Sequence, residues 1–157
     1  SIYPYVDKMI HFYLGEQAIL KNVPTYQCRE AQDLDYVLSN LEQLVVKEAQ
    51  GSGGYGMLIG PQASKSQIES FRDKIIATPN LYIAQPTLDL SVCPTLTDFG
   101  VAERHIDLRP FVLSSPYRTE IVPGGLTRVA MQAGSLVVNS SQGGGVKDTW
   151  VVDNLHS

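Results

Sequence analysis

The stretch LVVKEAQGSGGYGMLIGP, residues 44–61, decides the fold of the first half of this chain. An apolar run that carries Lys47 leads into a loop with glycine at four of six positions, and a second apolar run follows. This pattern predicts two strands joined by a flexible hairpin loop. Such a loop lets backbone N–H groups approach a phosphate chain without obstruction by side chains. The pattern therefore indicates a nucleoside triphosphate, with Lys47 reaching the same phosphates. The four glycines are Gly51, Gly53, Gly54 and Gly56.

Other glycine-rich phosphate loops fit this stretch less well. Gly51, Gly53 and Gly56 match G-x-G-x-x-G, but the dinucleotide fingerprint requires a helix directly afterwards. Residues 57–61 predict a short strand and a turn instead. A P-loop would end in Gly-Lys-Ser or Gly-Lys-Thr, and a protein kinase places its lysine on a strand after the loop. An ordinary flexible hairpin with a surface lysine remains the alternative.

The composition limits the class of protein. A length of 157 residues suits one domain or two small lobes. The net charge of −4 argues against a nucleic-acid partner. No apolar run approaches the roughly 20 residues that span a membrane. Cys28 and Cys93 are far apart in the sequence, which favours reduced thiols and a cytoplasmic location. The chain starts in a predicted turn, which suggests a part of a longer protein.

The first half predicts helices and strands in alternation. A helix over 7–16 would have Asp7 as its N-cap, and a short strand would follow the turn at 22–26. Leucine and valine spacing predicts a helix over 30–41. Ser64 and Gln67 have the form of a capping box that starts a third helix, which ends before Pro79. A strand is predicted over 82–85.

The second half predicts mainly strands, so the fold class is α+β. The stretch 89–103 reads as irregular, and 105–113 as a strand with Asp107 and Arg109 opposite its apolar side chains. Gly124 and Gly125 would separate two further strands, and Trp150 would lie in the core. The later strands are predicted over 119–122, 126–131 and 136–138, with a last apolar run over 150–152.

These features, in this order, resemble the ATP-grasp superfamily, in which ATP lies between two α+β lobes. The phrases VPTY, VVKEAQGSGGYGM, IAQPTL, HIDLRPFVL, PGGLTRVA and NSSQGGG-x-KDTWV together are most similar to the circularly permuted ATP-grasp type 2 proteins. Those proteins resemble glutathionylspermidine synthase and related carboxylate–amine ligases. The resemblance implies a first lobe over 1–86 and a partial second lobe over 87–157.

The resemblance implies ATP-dependent activation of a carboxylate, whose acyl phosphate an amine then converts to an amide. The identities of the acid and the amine stay open. Lys8 and Lys47 would contact the α and β phosphates. Backbone groups near Gln85, Pro86 and Thr87 would hold adenine. The loop residues that would close over the β and γ phosphates are Ser52, Gly53, Gly54 and Tyr55, flanked by Gly51 and Gly56.

The resemblance also implies catalytic roles in the second half. Arg109 and Arg128 would stabilise charge on the transferred phosphoryl group, and Asn139 could assist. Phosphoryl transfer needs fixed positive charges more than covalent help, and arginine supplies a permanent charge in a planar fork. The alternative for Arg109 is a solvated residue paired with Asp107 or Glu103.

One departure concerns magnesium. The family holds Mg²⁺ with a late acidic residue and a Glu-x-Asn strand, whereas Val137 stands two residues before Asn139. We therefore expect the metal ligands outside this chain, and we expect the chain alone to be inactive. A non-catalytic nucleotide-binding or partner-docking module is the alternative, and a kinase-like phosphotransferase is a weaker one. Exposed strand edges would favour self-association.

Overall fold

The computed structural model describes residues 2–51, 56–138 and 144–152. The chain divides into two compact units, Ser1–Leu88 and Asp89–Ser157. Each unit contains one antiparallel four-stranded sheet, and the described helices lie in the first unit. The predicted α+β class is confirmed. None of the helices in these ranges is long and apolar enough to cross a bilayer.

The first unit combines helices with a sheet whose strand order is β1 (Tyr26–Gln27), β4 (Tyr82–Pro86), β2 (Leu44–Glu48) and β3 (Leu58–Ile59). The predicted hairpin is confirmed, because Val45 pairs with Ile59 and Val46 with Leu58. Its helices and strands are α1 (Val6–Leu14), β1 (Tyr26–Gln27), α2 (Ala31–Ser39), β2 (Leu44–Glu48), β3 (Leu58–Ile59), α3 (Lys65–Ala77) and β4 (Tyr82–Pro86).

The core of this unit lies on one face of the sheet. Side chains alternate between the faces of a strand, so Val46 and Ala84 point to the core while their neighbours point to the opposite face. Val37 of α2 and Ile75 of α3 are fully buried in the same cluster. Burial of side chains of this size stabilises the fold by about 1.5–3 kcal/mol each. The opposite face, here called the Lys47 face, carries Val45, Lys47, Ile83 and Gln85.

The sequence predicted the N-cap of α3 correctly and the N-cap of α1 incorrectly. Ser64 caps α3 as predicted: its hydroxyl accepts from the Gln67 N–H, and the Gln67 side chain accepts from the Ser64 N–H at 2.8 Å. The predicted cap of α1 is wrong, because its N-cap is Tyr5 and Asp7 lies in the first turn. There Asp7 is favoured by the positive end of the helix dipole. The helix ends at Gly15, whose φ of +67° suits glycine.

The second unit is a meander with the sheet order β5-β6-β7-β8. The prediction that 89–103 is irregular is wrong, since this stretch forms the first strand and the start of the second. Pro94 is tolerated because its strand is at the sheet edge, where a missing N–H need not break the ladder. The strands are β5 (Val92–Thr97), β6 (Gly100–Ser114), β7 (Thr119–Val129) and β8 (Gly145–Thr149).

Two glycines lie inside β7, where the sequence predicted a break between two strands. The strands predicted over 119–122 and 126–131 are one strand, and Gly124 and Gly125 do not interrupt it. Gly125 pairs with Pro110 beside an irregularity in β6, where a Cβ atom would lie 2.9 Å from the Arg109 carbonyl oxygen. Glycine therefore permits a close approach of two backbones here.

The end of the described chain also departs from the sequence prediction. Residues 136–138 do not form a strand, and the last strand precedes the apolar run at 150–152 rather than coinciding with it. The Trp150 side chain is 82% exposed, so its predicted place in the core is wrong.

Candidate functional site

The Lys47 face holds a cavity of about 470 Å³ in the first unit, with both polar and apolar side chains in its lining. Lys47 is half-buried there, and its Nζ donates a hydrogen bond to Gln85 Oε1 at 2.8 Å. The partner is a neutral amide. The cavity is lined by Tyr3, Val23, Lys47, Glu48, Ala49, Gly51, Ile83 and Gln85.

A chain of hydrogen bonds fixes Gln85. Its Nε2 donates to Thr25 Oγ1 at 2.8 Å, and the Thr25 hydroxyl donates to the Val23 carbonyl oxygen at 3.0 Å. The Tyr3 hydroxyl accepts from the Val23 N–H at 2.9 Å and so ties the start of the chain to the same segment. Gln85, the hydrogen-bond partner of Lys47, is thus linked through Thr25 to the backbone of Val23.

In the ranges that are described, no carboxylate forms an ion pair with Lys47. Burial lowers the pKa of Lys47, because a partly dehydrated ammonium loses favourable hydration. Buried charges are usually paired with an opposite charge. A half-buried ammonium with only a neutral partner is therefore suited to bind an anion from outside the chain.

The glycine loop leaves from the edge of this cavity. Gly51, the first of its glycines, lines the cavity and donates its N–H to the Glu48 carbonyl oxygen at 3.1 Å. Gly56 has a φ of +67°, a backbone conformation that favours glycine. The predicted phosphate-covering residues, Ser52, Gly53, Gly54 and Tyr55, lie outside the described residues.

The other residues predicted to bind nucleotide are placed differently. Pro86 pairs with Leu44 in the sheet, and the Thr87 N–H and hydroxyl both donate to the Gln43 carbonyl oxygen, at 3.3 and 3.0 Å. Lys8 is exposed on α1 and does not line the Lys47 cavity. The roles predicted for these residues, and for the backbone near Gln85, stay predictions.

The two predicted arginines of the second unit have different surroundings. Arg128 Nε donates to Asp107 Oδ1 at 2.8 Å, and a second bond joins the other guanidinium nitrogen to Oδ2. Hydrogen bonding to Asp107 raises the pKa of Arg128, whereas burial acts to lower it. The Arg109 side chain is exposed and has no hydrogen-bond or ion-pair partner among the described residues. The alternative for Arg109 agrees with the structure in its solvated side chain, whereas the pairing with Asp107 or Glu103 is not present among the described residues.

The remaining site predictions concern Asn139 and the metal. Asn139 lies outside the described residues, so its predicted role stays a prediction. Within residues 2–51, 56–138 and 144–152, no three His, Cys, Asp or Glu side chains come together to hold a metal ion. The expectation that the Mg²⁺ ligands lie outside this chain stays a prediction.

Comparison with known proteins identifies the family. A sequence profile described as circularly permuted ATP-grasp type 2 matches residues 1–130. The chain belongs to this family. A relative in Synechocystis sp., an uncharacterized protein, is 55% identical over 151 residues, which are 96% of this chain and 31% of that protein.

Two further relatives are also much longer than this chain. An uncharacterized protein of Mycobacterium tuberculosis is 46% identical over 151 residues, which are 96% of this chain and 27% of that protein. A Frankia alni protein with the provisional name glutamate–cysteine ligase 2-3 is 47% identical over 150 residues, 96% of this chain and 17% of that protein. The chain thus spans less than a third of each of these relatives.

Sequence reasoning proposed Lys47 for the site and did not anticipate the side chains that surround it. Gln85 was expected to offer its backbone to adenine, whereas its side chain holds Lys47. Tyr3 and Thr25 were not predicted to belong to the site. The signal that could have found Gln85 is the strand register, since the pairing of Val45 with Gln85 puts Lys47 and Gln85 on the same face of the sheet.

Proposed function

We propose that this chain provides the nucleotide-binding part of an ATP-dependent carboxylate–amine ligase. The observation that carries the proposal is the half-buried Lys47 ammonium, which has a neutral partner and faces a cavity at the start of a glycine-rich loop. Phosphate oxygens are the ligands that such a cation and such a loop favour. Family membership supports ATP as the source of these phosphates.

The proposed reaction has two steps. A carboxylate oxygen attacks the γ-phosphorus of ATP, the bond to the β–γ bridging oxygen breaks, and an acyl phosphate and ADP form. An amine nitrogen then attacks the acyl carbon, phosphate leaves, and the nitrogen loses a proton to give the amide. Lys47 binds phosphate oxygens, and the backbone N–H groups of the glycine loop add donors. Fixed donors of this kind lower the barrier because they need no reorganisation during the transfer.

The second unit supplies a candidate cation for the transferred group. The charge of Arg128 is matched by Asp107, whereas Arg109 on the neighbouring strand is exposed and unpaired among the described side chains. We therefore assign the charge-stabilising role to Arg109, and we assign to Arg128 the holding of Asp107. This division refines the equal roles that the sequence suggested.

The amide-forming part of the proposal draws its support from family membership and from relatives. The Frankia protein has only the provisional name glutamate–cysteine ligase 2-3, and the matched stretch is 17% of that protein. The acid and amine of the present protein are therefore left as classes. The cytoplasmic location, the bound Mg²⁺ and the self-association expected from the sequence also stay predictions.

A trapping assay tests the proposed reaction. A longer protein that contains this stretch is incubated with ATP, Mg²⁺, a panel of carboxylic acids and hydroxylamine, which converts an acyl phosphate to a hydroxamate. We expect hydroxamate and ADP in equal amounts with one class of acid. Lys47→Ala should abolish both products, and Lys65→Ala, a change of an exposed lysine on α3, should not. ATP binding without either product would instead support the non-catalytic module.

A further inference from the structure

We infer that Gln85 is a positioning residue, which holds the Lys47 ammonium toward the cavity while leaving its positive charge unmatched. This inference rests on the proposed function, because it explains how Lys47 is kept ready for a polyphosphate. It also assigns a role to the Gln85 side chain that differs from the backbone contact with adenine expected for this position.

The hydrogen-bond polarity fixes which way the Gln85 amide faces. The hydroxyl of Thr25 has a single hydrogen, and that hydrogen is directed to the Val23 carbonyl oxygen. Thr25 Oγ1 can therefore only accept from Gln85, and only the NH₂ end of the amide can donate to it. This places Oε1, the acceptor end, toward Lys47 Nζ. The amide orientation follows from the network rather than from the similar shapes of the O and N atoms.

The sheet brings these side chains together. Lys47 pairs with Ile83 and Val45 with Gln85, so Lys47 and Gln85 are diagonal neighbours on one face of two adjacent strands. Diagonal neighbours are within reach of each other when one side chain is long. A shift of the register by one residue would turn Gln85 to the core face and remove the contact.

The neutrality of the partner is the feature that matters for binding. A carboxylate at position 85 would form an ion pair with Lys47 and would repel a phosphate that approached the same ammonium. The same chain shows the contrasting arrangement at Arg128, whose charge is matched by Asp107. Glutamine instead gives the ammonium a fixed direction through one hydrogen bond and leaves its charge available.

Two substitutions at position 85 separate charge from position. Gln85→Glu keeps the shape and adds a negative charge, so the Kd for ATP at pH 7 should rise about tenfold or more, because like charges at a binding site are strongly unfavourable. Gln85→Leu removes the acceptor without adding a charge, and its Kd should rise less. Isothermal titration calorimetry gives both values, and thermal unfolding checks that each variant is folded.

A labelling profile reports Lys47 directly. The rate of Lys47 acylation by acetic anhydride is followed from pH 7 to 11 by mass spectrometry. Gln85→Glu should move the midpoint to higher pH than in the wild type, because a neighbouring carboxylate stabilises the ammonium. Gln85→Leu should not move it upward. All variants retain Tyr3 and Glu48, the titratable side chains that line the cavity beside Lys47. A difference in the labelling midpoint between variants is therefore caused by residue 85.

Substitutions of Thr25 test the anchor of the amide. Thr25→Val removes the acceptor for Gln85 Nε2 and should weaken ATP binding severalfold, and Thr25→Ser, which keeps the hydroxyl, should restore it. If Thr25 had only a structural role, ATP binding by both variants would instead fall in proportion to their loss of thermal stability.

The inference would be overturned if Gln85→Glu bound ATP as tightly as the wild type, or if its labelling midpoint stayed in place. Failure of the proposed function gives a different result, namely a wild-type protein that binds no ATP. The labelling profile needs no nucleotide, so it would still decide whether Gln85 holds Lys47.

Discussion

The ion pair between Arg128 and Asp107 is expected to stabilise the second unit measurably, whereas Arg109 is not. Asp107 and Arg128 are directly opposite each other on β6 and β7, and their side chains are 29% and 19% exposed. Exposed pairs contribute about 0–1 kcal/mol, whereas breaking a fully buried pair costs about 3–5 kcal/mol. This pair lies between these cases, and its two hydrogen bonds add geometric constraint.

We therefore expect Arg128→Met to lower the free energy of unfolding by about 2 kcal/mol, because it leaves Asp107 half-buried without its partner. Asp107→Asn should cost a similar amount, and the double variant should cost clearly less than the sum of the two. Arg109→Met is the matched control, since Arg109 lies on the same pair of strands but is exposed. Its effect should stay within about 0.5 kcal/mol.

Urea denaturation followed by circular dichroism measures these differences, with the slope of the transition checked for constancy across the variants. Equal, small effects of Arg128→Met and Arg109→Met would refute the reasoning, because the pair would then contribute no more than an exposed charge. Additive effects of Asp107→Asn and Arg128→Met would show that the two side chains act independently.

Two further predictions concern packing and thiol chemistry in the first unit. Gly60→Ala should lower the free energy of unfolding by about 3 kcal/mol, because the added Cβ would lie 2.0 Å from the Leu41 carbonyl oxygen. Gly51→Ala is the control, because the nearest atoms to its Cβ would lie at 3.4 Å, and it should change thermal unfolding little. Burial raises the pKa of the Cys28 thiol from 9.0 to about 11, so stability should be full below pH 9 and fall as the pH rises through 11. Iodoacetamide at pH 8 should modify Cys93 and spare native Cys28; equal alkylation, or no alkaline loss of stability, would contradict this.

Local sequence signals predicted the elements that depend on local interactions. The capping box at Ser64 and the apolar runs around the glycine loop are complete within a few residues, so the α3 helix and the β2–β3 hairpin follow from them. Gly124 and Gly125 misled the prediction because their role depends on a partner strand. A glycine pair marks a break in an isolated strand, but here it permits contact with the backbone of Arg109.

The sequence proposed the cation of the candidate site but not the side chains that contact it. Lys47 stands beside the glycine loop in the sequence, whereas Gln85 and Thr25 come from distant strands and segments. Which side chains meet is set by sheet order and register, and neither can be read from periodicity alone. The same reason explains why Asp107, offered with Glu103 as an alternative partner of Arg109, pairs across the sheet with Arg128.

Calorimetric titration of ATP into Lys47→Met, with Lys65→Met as a control, tests the central claim most directly. A charged hydrogen bond to phosphate contributes about 1.5–3 kcal/mol, so Lys47→Met should raise the Kd by roughly 10- to 150-fold. Lys65 is exposed on α3, and its replacement should leave the Kd unchanged. Equal affinities of Lys47→Met and the wild type would contradict the claim that this ammonium binds the polyphosphate.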